Sequence, residues 1–390
     1  MGGRVRTLVL LGNHDKEIFA DDATLALFYE QCLGQPVETL SDDYRRWIGQ
    51  MYFDDVDHYL DPERKSVPWL PFYWGDQGFR LFVTHGQWRD QDNSRRITPK
   101  KGRVGWQVKD GWRLDIWRSL HFAPFTQPCF GDTVACGLLS GFIYRSKERL
   151  RALPTPTAIE TREVNRLKII LEELDLYRPT PDAIKRIIQE TRRLRRLDIK
   201  LANARKIIED ELLNSVCTWL SWDFTYESAS TKTRGILRVS KPILKALKRL
   251  SVRIALGFLY EAMALMSWLQ RSHRDTPSYD AMQRFPAFLT DYREFGLRIH
   301  CEGHTHTPLQ EELYFQIPVT PKNRQNYTYI NLGTWRDQLI PKKMQGYRRR
   351  SVGRTLVVLD KLTEGSDGRR SFAYWTQDIL TWGDKADRLE

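Results

Sequence analysis

Three short apolar runs constrain this chain more than any other feature. Thr7–Leu11, Phe79–Thr84 and Leu297–Cys301 each end in a polar segment containing histidine. Short, nearly continuous apolar runs suit strands buried on both faces of a sheet. Polar residues at their ends are what α/β sheets present to the crevice beyond the strands' carboxyl ends. Tyr327–Leu332 and Thr355–Leu359 read as two further strands, and Phe372–Trp375 as a closing one. Between about Val104 and Pro286 the apolar residues recur at helical spacing instead, most clearly over Ala158–Leu176 and Pro181–Leu213. Thr180-Pro181-Asp182 has the form of a helix start, with a cap, a proline at the first helical position and an acid in the first turn. The expected organisation is an α/β core in two parts, 1–105 and 291–365, interrupted by a mainly helical insertion over 106–290 and followed by a C-terminal extension over 366–390.

Charge narrows the partners. Lysine and arginine total 61 against 49 acidic residues, a formal charge of +12, so the surface field favours anions: nucleic acid, anionic lipid or phosphorylated metabolites. The basic cluster Arg192, Arg193, Arg195 and Arg196 reads as a solvated helix face, since few aromatics interleave with it. The five cysteines are widely spaced and form no Cys-x-x-Cys pair, which favours a reducing, cytoplasmic setting over a disulfide framework or a zinc ribbon. The longest apolar stretch, 252–269, is interrupted by Arg253 and Glu261. It is expected to be a buried core helix, with peripheral membrane contact through the same stretch as the second reading.

The polar tips carry the chemistry. Gly12-Asn13-His14-Asp15 follows the first run, Thr84-His85-Gly86 closes the second, and Gly303-His304-Thr305-His306 follows the third. Glycine permits a tight turn at a strand end, amide oxygen and imidazole nitrogen suit a phosphate-binding metal, and an adjacent carboxylate can fix an imidazole tautomer. In an extended segment His304 and His306 would point to the same side. His300 is expected to be a packing residue of its strand.

In that order, and together with Ile330-Asn331-Leu332-Gly333-Thr334, these segments resemble the later motifs of the calcineurin-like metallophosphoesterases. The resemblance covers about Arg4–Asp90 and Gly296–Asp360. It implies an α/β fold of the metallophosphoesterase type, an α/β/β/α sandwich with a binuclear site at the strand ends. It further implies two divalent metal ions, manganese, iron or zinc, with Asn13, His85 and His304 as ligands of one and His306 of the other. His14 would meet the phosphate and the leaving oxygen, and Asp15 would orient His14. The family's first two motifs, Asp-x-His and Gly-Asp-x-x-Asp, would precede Gly12, yet the residues before it contain neither aspartate nor histidine. The sandwich is therefore expected to lack its N-terminal strand or strands, the chain to bind metal poorly as written, and the true start to lie upstream of Met1. The expected activity is metal-dependent hydrolysis of a phosphomonoester or diester, with a polyanionic or lipid-linked substrate favoured by the charge and by 252–269. The alternative is a scaffold that recognises phosphate without turning it over.

Overall fold

The computed structural model describes residues 7–10, 12, 15, 18, 22–36, 38, 73–76, 79–87, 93, 128–155, 157–197, 201–229, 231–271, 297–313, 327–342, 346–364 and 370–380. The fold is mixed α/β, and the chain divides into two compact units. The first comprises 1–128, 276–335 and 352–381; the second comprises 129–275, 336–351 and 382–390.

The first unit contains helix α1 (Asp22–Leu33), one whole sheet and part of a second. One sheet has the order β1-β2-β3-β5-β4, formed by β1 (Tyr73–Asp76), β2 (Leu81–Thr84), β3 (Ile299–Glu302), β4 (Leu309–Leu313) and β5 (Tyr327–Asn331). Strands β2, β3 and β5 are parallel, while β1 and β4 pair antiparallel to their neighbours at the two edges. The central strands are where the apolar runs place them, because β3 and β5 are buried along their whole length. The second sheet has the order β6-β7-β8, from β6 (Gly333–Pro341), β7 (Tyr347–Glu364) and β8 (Arg370–Leu380). Pairing of β7 with β8 runs from Val352↔Leu380 to Glu364↔Arg370, so much of the expected C-terminal extension is a sheet strand. The two sheets meet through Ile299, Cys301 and Ile330 on one side and Leu356, Val358 and Tyr374 on the other. Burial there pushes the Cys301 thiol well above its ordinary range.

The described part of the expected strand Thr7–Leu11 is not a strand, and Leu11 lies outside the described residues. Thr7–Leu10 carries no ladder among the described residues. Both neighbours of β2 and both neighbours of β3 are already other strands, which leaves no free edge beside either one.

The second unit is built from helices α2 (Gly141–Arg151), α3 (Ala158–Glu173), α4 (Pro181–Leu197), α5 (Ala202–Trp219), α6 (Asp223–Ser228), α7 (Thr231–Leu250) and α8 (Val252–Arg271). A π-helical segment, Thr133–Ser140, leads into α2. Residues 336–351, the end of β6 and the start of β7, also belong to this unit, where Leu339 is buried among the helices. Local sequence explains the starts. Thr157 accepts from the Glu160 N–H at 3.2 Å while the Glu160 carboxylate accepts from the Thr157 N–H at 3.0 Å, a reciprocal cap on α3. Pro181 opens α4 with Asp182 in its first turn. The single helix expected over Pro181–Leu213 is two helices, α4 ending at Leu197 and α5 opening at Ala202. Ala255, Leu256 and Leu259 of α8 are buried in the core, so that face of the apolar stretch packs inside. Among the described residues no helix is long and apolar enough to cross a membrane.

The α4 arginines are less free than a solvated face suggests. Arg193 pairs with Glu163 and Glu190, Arg195 with Glu209, and Arg192 lies over the Tyr260 ring at 4.5 Å. Burial works against the charged form of Glu163, but the Arg193 hydrogen bond and the charges of Arg193, Arg162 and Arg166 outweigh it and hold the carboxyl below its ordinary range. At Glu209 burial wins over Arg195 and Arg205 and the carboxyl is pushed up.

Candidate metal centre

Because β2, β3 and β5 are parallel, their carboxyl ends emerge at one edge of the sheet. That edge is where α/β sheets gather ligand-binding groups. His85 follows β2 directly, Gly303 and His304 follow β3, and Asn331 ends β5. The backbone ties the first two tips together: the His85 carbonyl accepts from the N–H of Gly303 at 3.2 Å and of His304 at 2.9 Å. The side chains then meet. His85 Nε2 and His304 Nδ1 are 3.3 Å apart, with ring centroids 5.2 Å apart in an edge-on arrangement.

Gly12 backs onto the same ring. A Cβ there would lie 2.9 Å from Cδ2 and Nε2 of His85, so only glycine permits this approach. Its own turn is closed by Asp15, whose Oδ2 accepts from the Gly12 N–H at 2.8 Å while the Asp15 N–H donates to the Gly12 carbonyl at 3.3 Å. Three segments far apart in sequence therefore converge on the His85–His304 pair. Asn13 and His14 lie outside the described residues.

Comparison with protein-family models, with curated proteins and with solved structures finds no match.

The spacing of the two imidazoles suits a shared cation. Two nitrogens bound to one ion at about 2.1 Å and a tetrahedral angle stand about 3.4 Å apart. A hydrogen bond from one neutral ring to the other fits the same distance, with the tautomers set accordingly. Among the described residues no group of three or more histidine, cysteine, aspartate or glutamate side chains is placed to hold a metal ion. The pair is thus a two-nitrogen donor set on which further ligands would have to converge.

His306 departs from the expected geometry. The segment after β3 is a turn, closed by the His306 N–H donating to the Gly303 carbonyl at 3.0 Å, and His306 itself has φ +59°. Period-two alternation requires extended backbone, so it does not put His304 and His306 on one side here.

Behind the pair lies a buried polar chain. Glu302 accepts from Tyr329 Oη at 3.0 Å and lies 2.9 Å from His300 Nε2, Asn331 Nδ2 donates to Tyr329 Oη at 3.3 Å, and Asn331 Oδ1 accepts from the Gly333 N–H at 3.0 Å. Gly86, at φ +97°, lets the backbone after His85 press on this chain, since a Cβ there would lie 2.7 Å from the Glu302 carboxyl carbon. Glu302 and Tyr329 were not evident as site-supporting residues from the sequence; the one signal was a carboxylate inside a strand otherwise fit for burial, immediately before Gly303. Glu302→Ala is expected to lower stability by about 3 kcal/mol, because it leaves the partners of two buried hydrogen bonds unsatisfied. Glu302→Gln, which keeps one acceptor, should lose less. A urea midpoint for Glu302→Ala equal to that of the wild type would show that the chain of hydrogen bonds contributes nothing.

Proposed function

We propose that this chain carries the α/β/β/α core of a calcineurin-like metallophosphoesterase without that family's first two metal-binding motifs, which impairs its metal site, and that its helical second unit is an insertion in the core. The observation that carries the reading is the 3.3 Å approach of His85 Nε2 and His304 Nδ1 at the ends of adjacent parallel strands. The order of the motifs and the packing of two sheets on each other support it further. His85 and His304 hold one cation, with Asn13 as a further ligand, and His306 belongs to the second. Manganese, iron and zinc all suit mixed oxygen and imidazole ligation. When bound, a pair of such ions supplies charge stabilisation of the phosphoryl oxygens and a nucleophile active near neutral pH.

The chain's own residues have separate tasks in this reading. Asp15 fixes the turn that begins at Gly12 and carries Asn13 and His14 in sequence. His14 donates a proton to the departing oxygen, a task suited to an imidazole titrating near neutrality. Gly86 and Glu302 hold the tips of β2 and β3 at the spacing the histidines need. The excess of basic residues favours an anionic phosphomonoester or diester.

Hydrolysis of a bis-aryl phosphate and of an aryl monophosphate, with added manganese, tests the proposal. Expected is a weak manganese-dependent release of the phenolate that chelator removes and His304→Ala abolishes. Hydrolysis equal in the variant would contradict it, and phosphate binding without turnover of either substrate would favour the non-catalytic scaffold.

A further inference from the structure

The charge on α7 is of one sign. Over Thr231–Leu250 this helix carries seven basic residues and no acidic one. In α4 the arginines meet carboxylates, several of them buried. Arg238, Lys245 and Arg249 of α7 are exposed and have no ion-pair partner among the described residues.

The apolar side of α7 is also wider than the core it covers. Leu237 and Leu244 are buried in the helical unit. Val239, Ile243 and Leu250 are 62%, 38% and 77% exposed, and Ala246 is exposed between them. Spacings of four, three and four residues put these on one stripe of a helix, and Arg238, Lys245 and Arg249 form a second stripe beside it. Ile254, four residues beyond Leu250 at the start of α8, is a further aliphatic residue that is 52% exposed, with the exposed Arg253 next to it in sequence.

We propose that this face of α7 docks on an anionic lipid surface, with the aliphatic stripe entering the headgroup boundary and the flanking guanidinium and ammonium groups pairing with lipid phosphates. An aliphatic stripe with a stripe of cations beside it is what an interfacial helix needs. Nucleic acid is a poorer fit, since the exposed apolar residues are aliphatic and offer no ring for a base to stack on. The amphipathic layout suits a helix lying on the membrane.

The test is co-sedimentation of the full chain with vesicles of phosphatidylcholine alone and of phosphatidylcholine mixed with phosphatidylglycerol. Binding is expected only to the anionic vesicles. It should weaken as ionic strength rises from about 0.1 M to about 1 M, where the screening length falls from about 10 Å to about 3 Å. Replacing Arg238, Lys245 and Arg249 with alanine should weaken it about fivefold per residue, or about 100-fold together. Replacing Val239, Ile243 and Leu250 with serine should weaken it at least about tenfold, while leaving thermal melting in place because these side chains are exposed. Equal binding to both vesicle types, binding to neither, or binding that survives both sets of substitutions would overturn the proposal. So would retention on an acidic peptide or an RNA duplex by a chain that ignores the vesicles.

Discussion

Gly333→Ala should destabilise the protein by about 4 kcal/mol or more, among the largest effects expected of any single substitution. Gly333 has φ +70°, and a Cβ on it would lie 2.2 Å from the Val352 carbonyl oxygen and 2.8 Å from Pro308 Cγ. Neither neighbour can yield cheaply. Val352 begins the pairing of β7 with β8, the Arg354 N–H donates to the Leu332 carbonyl at 2.7 Å, and the Gly333 N–H is held by Asn331 Oδ1. The comparison that isolates this cause is Gly346→Ala. Gly346 has φ +85° but open space where the Cβ would go, so only the conformational cost of about 1–2 kcal/mol applies. Urea denaturation of the two variants should separate them clearly, and equal midpoints would show that the close approach at Gly333 is not tight.

His85→Ala and His304→Ala should each weaken binding of a divalent transition metal about 100-fold. In structural zinc sites about 10–16 kcal/mol is shared by four ligands, about 3 kcal/mol for each, and about 1.4 kcal/mol is a factor of ten. The two substitutions should not add fully, since the first already leaves the other imidazole without the partner 3.3 Å away. Isothermal titration with zinc measures the affinities directly.

The sequence was most informative where burial is complete. The bodies of β3 and β5 read directly from their apolar runs, and the start of α4 is written in Pro181 and Asp182. It was least informative where the outcome depends on partners far away in the chain. Thr7–Leu10 has the composition of a strand, but composition does not supply a pairing partner, and the places beside β2 and β3 are taken by other strands. The break between α4 and α5 is hidden because Leu194, Leu201 and Ile208 are all buried at intervals of seven, so the helical period runs through the interruption unchanged. At the candidate site, the histidines at the ends of β2 and β3 were legible from their positions at the ends of apolar runs. The turn at His306 was not, because a His-x-His spacing is the same in a strand and in a turn. Nor was the support from Glu302 and Tyr329, which are 27 residues apart and joined only by the pairing of β3 with β5.

The most direct test of the metal centre is the visible spectrum of the protein titrated with cobalt(II), since ligation by imidazole at a low coordination number gives strong absorption that hydrated cobalt lacks. Expected is a saturable absorption in the wild-type chain that is lost at the same cobalt concentration in both His85→Ala and His304→Ala. A spectrum unchanged in the two variants would mean that the imidazoles facing each other at 3.3 Å are joined by a hydrogen bond alone and that the chain's metal, if it binds one, lies elsewhere.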